Sequence, residues 1–186
     1  MTEKKLFRAD IKQKILAIPE QEKEIISKKI FDFLIQIPLY KKAEKIALYY
    51  SDKFEVDTCG LIEYSITQNK EVYLPKCGDD GRLQFYRVFS LDGLSLNCYN
   101  IPEPSVGKEY MGNFDVVTVP GLCFGLNGKR MGRGKGYYDK FLKNKKETKI
   151  ALYYHQLLSD DIPTDGGDVP VDIIISQKGV FYKNEV

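Results

Sequence analysis

Six glycines alternate with basic residues between positions 119 and 142, and this segment holds the side chains best suited to bind phosphate. Its sequence is VPGLCFGLNGKRMGRGKGYYDKFL, with Lys129, Arg130, Arg133 and Lys135 among the glycines. Glycine lets the backbone approach a ligand and adopt positive φ, so that successive N–H groups point at phosphate oxygens. A helix that begins directly after the segment adds partial positive charge. The composition therefore predicts an anion-binding loop.

The glycine segment matches neither of two common phosphate-binding patterns. No glycine–lysine pair is followed by Ser or Thr, as Walker A requires, and Gly132, Gly134 and Gly136 are spaced more tightly than G-x-G-x-x-G. A glycine-rich surface loop with solvated basic residues has the same composition. The spacing alone leaves both interpretations open.

Cations of the first predicted helix are candidates for additional phosphate contacts. Lys4, Arg8 and Lys12 recur every four residues, which places them in one row on a helix. Such a row suits a triphosphate, but a solvated polar face shows the same pattern.

Carboxylates are needed if a nucleotide brings Mg²⁺, which prefers one or two of them together with phosphate oxygens. Asp139 follows the glycine segment directly, and Asp168 and Asp172 belong to an acidic stretch further on. We identify Asp139, with either of the other two, as the candidate ligand set. A carboxylate near a helix N-terminus is also an ordinary dipole partner.

Helical spacing of apolar residues predicts the helices. The first covers 3–18, and the second runs from Pro19 until Pro38 stops it. Its expected buried stripe consists of Ile26, Ile30, Phe33, Leu34 and Ile37. Shorter helices are predicted over 57–68, with Asp57 as N-cap, and over 137–142.

Short apolar or alternating segments predict the strands. They lie at 45–50, 71–75, 83–89, 114–119, 149–154 and 171–175, and a turn and a final short strand follow. Residues 90–112 are rich in Gly, Pro, Ser and Asn and are predicted to cross the surface without regular structure.

The alternation of strands and helices predicts one α/β domain over residues 1–186. We expect an open, mainly parallel sheet flanked by helices, with an edge hairpin at the C-terminus. Ligands collect at the carboxyl ends of such strands. Tyr50, Glu55, Lys76, the glycine segment and His155 are therefore expected at one crevice.

Composition excludes several classes of protein. A net charge of +2 over 186 residues gives no general argument for nucleic acid or membrane partners. The four cysteines form no C-x-x-C pair, and the single histidine argues against His-rich metal clusters and a serine triad. Without a leader or an apolar run of 18 residues, we expect a cytoplasmic monomer that binds small molecules.

The string PGLCFGLNGKRMGRGKGYYDKFL resembles the signature of the 5-formyltetrahydrofolate cyclo-ligase family. Four weaker segments also fit that family in the expected order, namely KKLFRADIKQKI, FEVDT, YNIPEP and GDVPVD. The resemblance covers nearly the whole chain. It implies that ATP phosphorylates the formyl oxygen of 5-formyltetrahydrofolate, after which the neighbouring folate nitrogen closes the ring and displaces phosphate to give 5,10-methenyltetrahydrofolate.

The resemblance also implies roles for individual residues. ATP contacts are implied for Lys4, Lys5, Leu6, Phe7, Arg8, Arg130, Met131, Gly132, Arg133, Gly134, Lys135, Gly136, Tyr137 and Tyr138. Folate contacts are implied for Arg8, Tyr50, Glu55, Tyr99, Arg133, Gly134, Lys135, Gly136 and Tyr137. Lys135, Arg130 and Tyr137 are the implied catalytic residues, and Asp139 and Asp168 the implied Mg²⁺ ligands.

The chain departs from the family pattern at two positions. Gly125 stands where Asp is common, and Tyr99 stands where some relatives carry Trp. Two other functions also fit the residues. One is a sugar-phosphate enzyme of similar architecture, and the other is a non-catalytic protein that binds phosphate or nucleic acid through the basic patch of 129–146.

Overall fold

A seven-stranded sheet forms the centre of the molecule in the computed structural model, which describes residues 2–78, 80–98, 100–105 and 107–183. The strands of the chain are β1 (Lys45–Ala47), β2 (Glu71–Cys77), β3 (Leu83–Val88), β4 (Leu94–Leu96), β5 (Pro102–Pro104), β6 (Val116–Thr118), β7 (Cys123–Phe124), β8 (Arg130–Met131), β9 (Thr148–Leu152), β10 (Ile173–Ser176) and β11 (Gly179–Tyr182). The order in the large sheet is β11-β10-β9-β6-β1-β2-β3. Its five inner strands run parallel, and β3 and β11 are antiparallel edges. The predicted α/β class and C-terminal edge hairpin are confirmed.

Five α-helices accompany these strands in the described part of the chain. They are α1 (Glu3–Leu16), α2 (Glu20–Leu34), α3 (Pro38–Lys42), α4 (Cys59–Thr67) and α5 (Tyr137–Leu142). Ile11 and Ile15 bury one face of α1, and Ile26, Ile30 and Leu34 bury one face of α2. No helix among the described residues combines the length and apolar character that a membrane span requires.

Two details of the helix prediction are wrong. The N-cap of α4 is Thr58 and not Asp57. Phe33 is 36% exposed, because it lies on the flank of the stripe formed by Ile30 and Leu34. As predicted, α2 does not extend past Pro38: it ends at Leu34, and Pro38 occupies the first turn of α3, where its missing N–H costs nothing.

Pro75 lies inside β2, whereas the sequence suggested that it ends the strand. Pro75 instead limits the length of the neighbouring strand β1. Leu48 N donates to Tyr73 O at 3.0 Å, and the next bond of a parallel ladder needs an N–H at position 75. Proline lacks that N–H, so β1 ends at Ala47.

Two small hairpins lie in segments that were predicted to be irregular. β4 and β5 pair within 90–112, and β7 and β8 pair inside the glycine segment. Each strand is only two or three residues long, too short for a visible alternation of apolar and polar residues. Both hairpins lie beside the carboxyl edge of the sheet and supply walls of the site described next.

Candidate active site

Two cavities lie side by side at the carboxyl edge of the sheet. The first has a volume of about 330 Å³ and the second about 520 Å³. Gly132, Gly136 and Asp139 border both, so the glycine segment and the start of α5 form a common wall. Two ligands placed in these cavities would meet across that wall.

The common wall depends on glycine at two positions. Gly136 adopts φ 69° directly before α5, a conformation that turns the chain into the helix and that glycine adopts without strain. Gly134 adopts φ 99° and lies so close to α1 that an added Cβ would stand 3.4 Å from Arg8 Cζ. Arg8 Nε donates to Gly132 O at 2.8 Å and joins α1 to the loop.

Arg130 fixes the loop to the helix that follows it. Its side chain is buried, its Nη1 donates to Pro120 O at 3.2 Å, and its Nη2 pairs with Asp139 Oδ1. Asp139 Oδ1 also accepts from Val169 N at 3.0 Å. Arg130 and Asp139 thereby tie the glycine segment, α5 and the acidic stretch together.

Lys4 joins α1 to the acidic stretch across the second cavity. Its Nζ lies 2.8 Å from Asp165 Oδ2 and 2.5 Å from Asp168 Oδ2. Partial burial acts to lower the pKa of Lys4, but the hydrogen bonds to both aspartates raise it overall. Together with Arg8, Lys140 and Lys143, this lysine makes the second cavity rich in cations.

At the first cavity, Arg133 of the glycine segment pairs with two carboxylates of the loop after β1. Arg133 Nη1 donates to Asp52 Oδ2 at 2.6 Å, and Arg133 Nη2 donates to Glu55 Oε1 at 2.7 Å. The Glu55 side chain is only 5% exposed. Burial raises the pKa of Glu55 to about 7, although the charge of Arg133 opposes this increase.

Because the pKa of Glu55 is raised, the stability of the protein should fall as the pH rises from about 4.5 to about 7. The folded protein retains a proton at Glu55 in this range that the unfolded chain has lost. Glu55→Gln cannot titrate, so this part of the decline should disappear, a difference of roughly 3 kcal/mol in the free energy of unfolding. Urea unfolding at pH 5 and pH 8 measures it. An equal decline in wild type and variant would contradict the assignment.

Most of the residues implied for binding lie at the two cavities. Tyr50, Glu55, Lys135, Tyr137 and Tyr138 line the first, and Lys4, Arg8, Gly134 and Asp168 line the second. Arg130, Arg133 and the shared residues Gly132, Gly136 and Asp139 complete the set. Tyr99 lies outside the described residues.

The structure does not bring every candidate to the cavities. Lys5 and Leu6 are exposed on α1, Phe7 packs against the core, and Met131 is buried in it. None of these four lines either cavity. All four lie within two positions of a residue that lines a cavity, but their own side chains do not reach it.

Two residues expected at the crevice, His155 and Lys76, and the alternative Mg²⁺ candidate Asp172 line neither cavity. His155 Nδ1 lies 3.1 Å from Ser176 Oγ, and its ring lies against Phe181. Asp172 Oδ2 accepts from Lys149 Nζ at 2.9 Å at the start of β9. Lys76 lies on β2 but does not line a cavity.

Sequence reasoning missed the wall that the β4–β5 hairpin builds. Asn97, Ile101, Pro102 and Glu103 line the first cavity. Glu103 Oε1 accepts from Asn97 Nδ2 at 2.8 Å and from Cys77 N at 3.3 Å, which holds the hairpin against β2. The only signal in the sequence was the order of Pro and Glu in YNIPEP, which does not indicate strand pairing.

The comparisons with known proteins agree along the whole fold. The model of the 5-formyltetrahydrofolate cyclo-ligase family matches residues 1–177. The 5-formyltetrahydrofolate cyclo-ligase of Mus musculus is 29% identical over 92% of each chain, and that of Haemophilus influenzae is 32% identical over 73% of this chain and 77% of its own. The NMR structure of Aquifex aeolicus 5,10-methenyltetrahydrofolate synthetase has a TM-score of 0.86 at 34% identity, covering 98% of this chain and 93% of that one.

Proposed function

We propose that this chain, which belongs to the 5-formyltetrahydrofolate cyclo-ligase family, converts 5-formyltetrahydrofolate and ATP to 5,10-methenyltetrahydrofolate, ADP and phosphate. One observation of the structure carries the proposal. Two cavities share a wall made by Gly132, Gly136 and Asp139, and their linings differ in chemistry. A reaction between two bound substrates needs such an arrangement, because transfer requires the reacting atoms to meet.

The first cavity is assigned to the folate. Tyr49, Tyr50, Tyr137 and Tyr138 offer aromatic surface to a flat ring system, and Glu55 offers carboxylate oxygens to its N–H groups.

The second cavity is assigned to the triphosphate of ATP. Lys4, Arg8, Lys140 and Lys143 neutralise its charge, and the backbone of Gly132 to Gly136 lies within reach of phosphate oxygens. A sugar-phosphate enzyme would need one phosphate site and would not need the additional cations Lys4 and Arg8 of α1 at the second cavity.

The chemistry requires an activated formyl group. The formyl oxygen attacks the γ-phosphorus, the bond from phosphorus to the bridging oxygen breaks, and ADP departs. The N10 nitrogen then attacks the formyl carbon and loses its proton, and phosphate leaves with the former formyl oxygen. Phosphoryl transfer depends mainly on positioning and charge neutralisation, which the rigid wall supplies.

Three residues of the wall are assigned to the reaction itself. Lys135 lies on the first-cavity side and would neutralise charge on the transferred phosphoryl group. Arg130, held by Pro120 O and Asp139, keeps the wall in place and adds positive charge behind it. Tyr137 is assigned to contact with the folate near the shared wall.

Asp139 and Asp168 would hold Mg²⁺, since both border the second cavity. The carboxylate oxygens of both residues fit the ion, because Mg²⁺ prefers carboxylate oxygens together with phosphate oxygens as ligands. When bound, Mg²⁺ would neutralise the phosphates and polarise the γ-phosphoryl group. Asp139 pairs with Arg130 and Asp168 pairs with Lys4, so each carboxylate already lies beside a cation of the site.

Asp168→Asn is expected to raise the Mg²⁺ concentration for half-maximal rate by about tenfold, because one charged ligand is lost. Asp165→Asn is the matched control, since Asp165 also pairs with Lys4 but is 70% exposed. Steady-state rates against Mg²⁺ concentration distinguish the two. An equal rise in both variants would assign the effect to Lys4 and not to the metal.

An isotope experiment tests the proposed reaction. With ¹⁸O in the formyl group, the released phosphate should carry one ¹⁸O, because the formyl oxygen becomes a phosphate oxygen. Mass spectrometry of the phosphate after complete turnover measures it. Unlabelled phosphate would show that ATP does not phosphorylate the formyl oxygen.

A cytoplasmic location, a monomeric state and a single folding unit over 1–186 stay predictions from the sequence. Light scattering of the purified protein tests the second, and a single unfolding transition tests the third.

A further inference from the structure

Arg133 has two carboxylate partners, although one would balance its charge. Asp52 accepts from Nη1 at 2.6 Å and Glu55 accepts from Nη2 at 2.7 Å. Both acids belong to the loop that follows β1, and Asp52 is not among the residues that the sequence implied for the site. The second carboxylate therefore requires an explanation.

The two acids differ in surroundings. The Glu55 side chain is 5% exposed and lines the first cavity, whereas the Asp52 side chain is 19% exposed and is not part of the lining. The charge of Glu55 contributes to the raised pKa values of the neighbouring phenols of Tyr49, Tyr138 and Tyr154, which carry no charge at neutral pH. Arg133 is the cation that both acids share.

The loop fixes Asp52 independently of Arg133. Asp52 Oδ1 accepts from Phe54 N at 2.8 Å, and its own N donates to Glu55 Oε2 at 3.0 Å. Its other oxygen, Oδ2, is directed to Arg133 by this turn. The turn alone therefore orients the Asp52 side chain, which can hold the guanidinium of Arg133 without rearrangement.

We infer that Asp52 is a positioning residue that keeps Arg133 on the folate side of the wall when Glu55 Oε1 exchanges its hydrogen bond from Arg133 for one from an N–H donor of the folate ring. The inference rests on the proposed function. With Asp52 as a permanent counter-ion, Arg133 stays charge-balanced when Glu55 turns to a ligand. Without Asp52, folate binding would leave a partly buried guanidinium without a partner, which is costly.

Asp52→Asn and Asp52→Ala separate this role from that of a turn residue. Asparagine keeps an oxygen that accepts from Phe54 N and removes the charge, whereas alanine removes both. Binding of 5-formyltetrahydrofolate without nucleotide is measured by calorimetry, and the KM for ATP is measured with saturating folate. At about pH 8.5, where Glu55 is largely ionised in both proteins, Asp52→Asn should weaken folate binding about fivefold, the effect of a partly exposed ion pair, and leave the KM for ATP unchanged.

A second readout is the pH dependence of folate binding. Wild-type affinity should rise with pH through about 7, because N–H donors prefer the ionised form of Glu55. The negative charge of Asp52 contributes to the raised pKa of Glu55, so the rise should move to lower pH in Asp52→Asn. A residue that only maintains the turn would not move this profile.

Three results would each overturn the inference. The first is that Asp52→Asn binds folate as wild type does while Asp52→Ala binds it weakly. The others are an unchanged pH profile in Asp52→Asn and a KM for ATP that rises together with the folate dissociation constant. Failure of the wild-type protein to bind 5-formyltetrahydrofolate would instead defeat the proposed function itself, whatever the two variants do.

Discussion

Arg130→Met is expected to lower the free energy of unfolding by about 3 kcal/mol, because it removes one partner of a buried ion pair. Arg130 is 4% exposed, and its loss leaves Asp139 and Pro120 O without their guanidinium partner. Methionine fills much of the same volume, so the cavity contribution should be small. Urea unfolding followed by circular dichroism measures the change.

Lys28→Met is the matched control for this variant. Lys28 pairs with Asp32 one turn along α2, but the two side chains are 75% and 45% exposed. An exposed pair of this type contributes about 0.5 kcal/mol or less. Similar losses in the two variants would show that Arg130 is not the structural centre of the wall.

Arg133→Met is expected to weaken the binding of 5-formyltetrahydrofolate by about ten- to hundredfold, which corresponds to the loss of one charge-assisted hydrogen bond. Loss of its positive charge should also raise the pKa of Glu55 further, because Arg133 is the group that opposes the effect of burial. Folate binding should then need a higher pH than in wild type. Calorimetric titration at several pH values measures both effects.

Arg87→Met serves as its control. Arg87 also faces a carboxylate, Glu71, at 3.7 Å on the edge of the sheet, but it lines neither cavity. Folate binding by that variant should match wild type. A pH profile of Arg133→Met that coincides with wild type would contradict the coupling between Arg133 and Glu55.

The architecture was predictable because its signals are local and repeated. Ile11 and Ile15 mark the inner face of α1 through helical spacing, and the β-branched runs around Val116 and Ile174 mark buried strands. The edge at which these strands end follows from parallel topology. The place of the glycine segment at that edge therefore also followed from the sequence.

The partners within the site were less predictable because they depend on contacts between distant parts of the chain. Lys4 lies 164 positions from Asp168, and Arg133 lies 81 positions from Asp52. Nothing in the neighbourhood of Asp52 distinguishes it from an ordinary turn residue. The hairpin that carries Glu103 is likewise fixed by its contact with β2.

Gly125 shows how packing settles a question that the sequence left open. A Cβ at this position would stand 2.6 Å from Ser159 O, so a side chain cannot be added without moving the backbone. The backbone of Ser159 is held there by a hydrogen bond, since Ser159 N donates to Phe124 O at 3.0 Å. The glycine here serves the contact between the β7–β8 hairpin and the segment after β9.

The central claim is that the two cavities hold folate and ATP for one coupled reaction. The most direct measurement mixes purified protein with 5-formyltetrahydrofolate and Mg-ATP and follows the absorbance of the methenyl product together with ADP. Product should form only with both substrates present, in equal amounts with ADP. ADP release without folate, or no methenyl product with either monoglutamate or polyglutamate folate, would contradict the account.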